Sequence, residues 1–184
     1  MGCLPIECYV WHKSIGFLWF GTTLGLLRYD GVQMEVFNKL SLVDNLILTD
    51  AIIQVEVDDM GRIIAHNDHG YILIYDYSKS GKNPIEYIEI KDSENKRVNI
   101  DLFTVTDSGM LLLIALNGDI YSLNIRTKIY TKILTQHSLF QNPHKGLKIG
   151  NIWWIGAENG LFKFYLDLKT LNSEHQTPTQ IMMR

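Results

Sequence analysis

The chain has 184 residues, 46% of them hydrophobic and 20% charged, and its 20 acidic and 17 basic side chains leave a formal net charge of −3. That balance suits a folded chain with a sizeable core and excludes a disordered one. Slight acidity without Lys/Arg clusters excludes a nucleic-acid partner, and the longest apolar run, 110–116, is far short of the ~20 residues of a membrane-spanning helix, so no direct membrane contact is expected.

The opening MGCLP lacks the basic flank and apolar stretch of a signal peptide. Cys3 and Cys8 lie five positions apart and read as two ordinary thiols. A disulfide framework or a zinc site needs more sulfur, or His at ligand spacing.

In chain order, the first predicted strands are 8–11, 17–21, 26–29 and 32–37, followed by 51–57, 62–66, 71–77 and 85–90. A third set reads 99–105, 110–115, 120–125 and 128–134, and a fourth reads 147–149, 152–156, 161–165 and 179–183. All are short apolar, aromatic or β-branched runs bounded by Gly, Asn, Asp and Ser, whereas capped helix-period stretches are hard to find. Polar or Pro-bearing segments at 38–50, 91–98 and 135–146 join the sets.

The four sets are copies. GFLWFGTTLG (16–25), GRIIAHNDHG (61–70), GMLLLIALNG (109–118) and NIWWIGAENG (151–160) align without gaps, their last glycines 45, 48 and 42 residues apart (70 − 25, 118 − 70, 160 − 118). A second strand-like stretch follows each at once: LLRY, YILIY, DIYSL and LFKFY. The leading position follows a polar turn and calls for a positive φ, which glycine adopts freely and Asn151 tolerates. This period fits a four-stranded antiparallel blade, and such units stack radially because one small sheet cannot bury both faces alone. The expected fold is therefore an all-β propeller of about four blades, near 6–38, 50–91, 98–134 and 145–184, in a single domain over 1–184. Trp19, Ile64, Leu112 and Trp154 form one aligned column expected to pack neighbouring blades together.

Phe17-Leu-Trp-Phe-Gly-Thr22 followed by Gly25-Leu-Leu-Arg-Tyr-Asp-Gly31 resembles the two-component regulator propeller repeat, with its Asp-x-x-Gly, Leu-Trp-Ile-Gly-Thr and Gly-Leu-x-Arg-Tyr-Asp elements. IWWIG (152–156), NGL (159–161) and LTDAIIQVEVDDMG (48–61) are similar to parts of the same repeat. Units two and three carry Ala65-His66 and Leu113-Ile114 where that family shows Ile-Gly, so spacing alone places them. The resemblance implies a non-enzymatic piece of the periplasmic sensor region of a bacterial hybrid two-component regulator. In that family one or more propellers, usually seven-bladed, precede a small β-sandwich, a membrane helix and a cytoplasmic kinase, and many members respond to carbohydrate breakdown products. It implies as partners an oligosaccharide ligand, further blades or domains of a longer chain, and a second copy in a homodimer. With about four periods, the chain reads as a fragment of a longer protein, a truncated gene product, or a four-bladed ring. The first two are favoured because unclosed terminal blades leave faces and edges uncovered. Two alternatives remain: a protein-interaction propeller, and a propeller enzyme acting on polysaccharide.

The loops between second and third strands are expected to share one face with the segments joining the blades. They hold the candidate ligand-binding residues Thr22, Thr23, Asn67, Asp68, His69, Asn117, Glu158 and Asn159, whose amides, hydroxyls and carboxylates can orient a sugar. The bland reading is that these are turn residues. No metal, cofactor or catalytic group is expected. His66 and His69 need not converge, since one closes a strand and the other lies in a loop, and no further ligand stands at a diagnostic spacing. Glu86 and Glu89 fall on opposite strand faces, and a turn accounts for Asp58-Asp59 and for Asp107.

Overall fold

The computed structural model describes residues 6–12, 16–37, 51–76, 85–106, 109–134, 140–150, 152–165 and 179–181. Cys3, Asp107, Asn151 and the joining segment 38–50 lie outside the described residues. Among the described residues all regular structure is strand or turn.

Sheet one contains β1 (Ile6–His12), β2 (Phe17–Thr22), β3 (Gly25–Tyr29) and β4 (Met34–Phe37). Sheet two contains β5 (Ile52–Val57), β6 (Ile63–Asn67), β7 (Ile72–Tyr75) and β8 (Ile85–Ile88). Sheet three contains β9 (Ile100–Val105), β10 (Met110–Ala115), β11 (Ile120–Asn124) and β12 (Tyr130–Leu134). Sheet four contains β13 (Pro143–Ile149), β14 (Ile152–Ala157), β15 (Gly160–Tyr165) and β16 (Thr179–Ile181). Each is a four-stranded antiparallel meander in sequence order, the form of a propeller blade.

The turns explain the repeated glycines. Gly16, Gly61 and Gly109 have φ of +71°, +79° and +68°, and the trailing Gly25, Gly70, Gly118 and Gly160 are also left-handed. A β-carbon disfavours that conformation, so the spacing of glycines records the spacing of turns. In the fourth unit Gly150, one place before the aligned Asn151, is left-handed at +59°. Side-chain oxygens finish the other turns. Asp58 Oδ1 accepts from the Met60 and Arg62 amides at 3.0 and 2.8 Å, and Asp92 Oδ1 accepts from Glu94 and Lys96, both at 2.9 Å.

The chain divides into two compact units, Met1–Lys91 and Asp92–Arg184, each holding two sheets. In the first unit Trp19 and Leu26 of sheet one pack on Ile63, Ala65, Leu73 and Tyr75 of sheet two, with the Trp19 and Tyr75 rings 5.1 Å apart. In the second, Leu112, Ile114 and Ile120 of sheet three pack on Trp153, Ile155 and Phe162 of sheet four. Phe140 meets Phe162 edge-on at 5.0 Å. In each unit the neighbouring first strands lie together, β1 beside β5 and β9 beside β13.

Of the expected column of Trp19, Ile64, Leu112 and Trp154, Trp19 and Leu112 pack on a neighbouring sheet as expected, and strand alternation identifies what receives them. Successive side chains on a strand point to opposite faces. Trp19 and Leu112, fourth in their aligned segments, face the following sheet. The residues that receive them are third and fifth in theirs: Ile63 with Ala65, and Trp153 with Ile155. Trp153 is therefore the buried partner in sheet four, and Trp154 lies on the opposite face, only half-buried.

Several strand ranges also differ by one or more residues, two of them with a visible cause. The expected strand at 32–37 begins at Met34, because Asp30 Oδ1 accepts from the Val32 and Gln33 amides at 2.8 and 2.7 Å and holds Val32 in an exposed turn. The expected 147–149 is the longer Pro143–Ile149. Pro143 is tolerated as the first residue of the strand. Gly146 serves close packing, since a β-carbon there would stand 3.2 Å from Thr104 Cγ2 and 3.3 Å from Ile155 Cδ1.

Candidate functional site

The loops between second and third strands are fastened to the segments that lead into the first strands. The Asp68 amide donates to the Ala51 carbonyl at 3.0 Å, that of Leu116 to Asn99 at 2.9 Å, and that of Glu158 to Gln141 at 2.9 Å. One repeated hydrogen bond thus puts loop and lead-in at the same end of sheets two, three and four, as the sequence leads one to expect.

The structure separates the candidate residues into two groups. Four of them shape the turns. Thr22, fully buried, donates through Oγ1 to the Gly25 carbonyl at 2.9 Å and accepts from the Leu24 amide at 3.2 Å. Asn67 Oδ1 accepts from the His69 and Tyr71 amides at 3.2 and 2.9 Å. Asn117 Oδ1 accepts from the Asp119 amide at 3.0 Å, and Asn159 Oδ1 accepts from the Gln141 amide at 3.0 Å. The others sit at the loop surface: Thr23, Asp68 and Glu158 are exposed, and His69 Nδ1 lies 3.0 Å from Asp68 Oδ1. His66 is buried, with Nδ1 3.0 Å from the Asn67 carbonyl, whereas His69 is partly exposed beside Asp68.

The sequence reading passes over a second set of positions. Every first strand has one residue more than its partner beside the loop: Glu7 between Ile6 and Cys8, Ile53 between Ile52 and Gln54, Asp101 between Ile100 and Leu102, and His144 between Pro143 and Lys145. Such bulges re-aim side chains and recur near functional sites. Only the cross-strand register reveals them, so the linear pattern carries no signal for them. In the second unit the bulged residues are an acid, Asp101, and a base, His144. Burial pushes the Asp101 carboxyl above its ordinary 3.8, and His144 partly opposes the shift. Asp101 Oδ2 is buried and has no hydrogen-bond partner among the described residues. A donor from a ligand would satisfy it.

That geometry carries a pH signature. A carboxyl raised in the folded state binds its proton more tightly there, so its destabilisation is present at neutral pH and disappears as pH falls below the ordinary value. Asp101→Asn is expected to raise the melting temperature at pH 7, with the gain vanishing towards pH 3.5. Thermal melts across that range check it, and a gain independent of pH would contradict it.

No protein-family profile matches the sequence, and neither does any curated protein. Solved structures do match in fold. The extracellular domain of a proposed hybrid two component system, BT3049 from B. thetaiotaomicron, aligns over 99% of this chain and 25% of its own, with a TM-score of 0.70 at 16% identity. The extracellular domain of BT4673 from the same organism, also described as a hybrid two component system, covers 100% of this chain and 22% of its own, with a TM-score of 0.60 at 18% identity. U3-55K aligns over 98% of this chain and 53% of its own, with a TM-score of 0.65 at 8% identity. The chain thus spans a quarter or less of the two extracellular domains, and it is similar to them in fold.

Proposed function

We propose that this chain is a non-catalytic sensing module, four blades of a larger propeller from the periplasmic sensor region of a hybrid two-component regulator, and that it detects a carbohydrate-derived ligand. The repeated fastening of loop to lead-in carries the reading, because it gathers Asp68 with His69, and Glu158, at the loop ends of their sheets on rigid supports. The repeat motifs and the fold shared with extracellular domains of hybrid two component systems support the same reading. Two buried carboxylates serve the fold: Asp58 closes a turn, and Asp119 pairs with Lys132 Nζ at 2.7 Å. Signalling then requires the ligand to bind two arrangements of the assembly with different affinity.

Thermal shift against oligosaccharide pools tests the proposal. A pool holding a ligand at a hundred times its Kd should stabilise the fold by about 2.7 kcal/mol. The double variant Asp68→Ala/His69→Ala should lose that shift while its unliganded melting temperature stays within about a degree, as for surface positions. No shift with any pool, or a shift unchanged in the variant, would contradict the proposal. A co-purifying protein in the absence of any shift would favour the interaction-scaffold reading.

A further inference from the structure

The bulges of β9 and β13 bring two titratable side chains to one end of two neighbouring strands. Both bulges lie beside the same position of the repeat, Ala115 in sheet three and Ala157 in sheet four, and the extra residues are Asp101 and His144. β9 and β13 run side by side within the second unit. Close packing joins them a few residues further along, where a β-carbon on Gly146 would stand 3.2 Å from Thr104 Cγ2. Both sheets that carry the pair are therefore supplied by this chain.

Asp101 is half-buried, and its Oδ2 is buried without a hydrogen-bond partner among the described residues. His144 is exposed, and near enough to act on the Asp101 carboxyl electrostatically. An unmatched buried acceptor is costly, and a donor removes that cost. The lead-in to His144 is strained as well. Asn142 has a φ of +43° immediately before Pro143, where its own β-carbon and the proline ring both disfavour that conformation. Strain of this kind persists where the surroundings hold a segment in a set place. Backbone bonds from the loops, Leu116 to Asn99 and Glu158 to Gln141, put the exposed Asn117 and Glu158 at the same end.

We infer that Asp101 and His144 form a second subsite, between sheets three and four, for a ligand bearing neighbouring hydroxyl groups. The inference deepens the sensing proposal and rests on it, adding residues that the loop site does not include. An ionised carboxylate only accepts, whereas an imidazole ring N–H donates. One hydroxyl can donate to Asp101 while the next accepts from His144, so a diol satisfies both ends. An ammonium group satisfies only the acid, and a carboxylate satisfies only the imidazole N–H.

Nuclear magnetic resonance titration of the 184-residue chain with the methyl glycosides of glucose, galactose, mannose and xylose tests this. At least one glycoside should shift both the Asp101 carboxyl carbon and the His144 ring signals, saturably and with a common midpoint. Acetate and methylammonium should not shift both. Asp101→Ala should weaken binding of that glycoside about tenfold, the worth of one hydrogen bond to a charged group, and His144→Ala, at an exposed position, should weaken it too. Asp68→Ala/His69→Ala should leave both sets of shifts in place. No glycoside shifting either residue, binding indifferent to Asp101→Ala and His144→Ala, or methylammonium shifting both residues as strongly would overturn the inference. A thermal shift with an oligosaccharide pool that survives Asp101→Ala and His144→Ala but is lost in Asp68→Ala/His69→Ala would overturn it while upholding the sensing proposal.

Discussion

Trp153→Ala is expected to destabilise the second unit by about 3–5 kcal/mol, the cost of emptying a large aromatic site in a packed core. Trp153 is completely buried among Leu112, Ile114, Ile155 and Phe162, residues drawn from two sheets. Its loss would open a cavity between the sheets, where relaxation of one strand cannot fill it. Trp154→Ala, made one residue away on the half-buried face, should cost no more than about 1 kcal/mol when measured in dilute solution. Denaturant titration of both variants gives the comparison. Equal losses would mean that the alternation of β14 is assigned to the wrong faces.

The second large effect is at Asp58. Its side chain is wholly buried, and its oxygens accept from the Met60 and Arg62 amides and from Arg62 Nε at 2.6 Å. Asp58→Ala removes the turn cap and leaves the Arg62 guanidinium, 9% exposed, with its charge uncompensated. Breaking one side of such a pair costs about 3–5 kcal/mol. Asp59→Ala, at the exposed neighbour, should lie within about 0.5 kcal/mol of the wild type. Urea unfolding of the two variants decides the matter, and similar midpoints would show that the Asp58–Arg62 pair contributes little to holding the β5–β6 turn.

The repeat is legible in the linear sequence because turn chemistry is local. Gly61 and Gly70 bracket β6 as Gly109 and Gly118 bracket β10, and all four adopt the left-handed conformation that glycine favours. The strand at Pro143–Ile149 is less legible, since its Pro and Gly look like breakers until Thr104 is brought against Gly146. The two adjacent tryptophans show the same limit. Both are large and apolar, and only a neighbouring sheet distinguishes Trp153 from Trp154. At the candidate site, Thr22, Asn67, Asn117 and Asn159 are recognisable as polar loop residues, but the amides they cap are evident only once the loops are closed. Asp101 and His144 depend on bulge register, a property of two strands together.

These points share one premise: the aligned glycine-bounded segments are the second strands, each with the turn to the third, of successive copies of one meander. Interstrand proton–proton contacts measured by nuclear magnetic resonance test it most directly. The account predicts contacts between Leu147 and Trp154 in sheet four, matching those between Glu56 and Ile64 in sheet two and Thr104 and Leu112 in sheet three. Their absence, or contacts shifted by one residue so that Trp154 replaces Trp153 on the buried face, would contradict it.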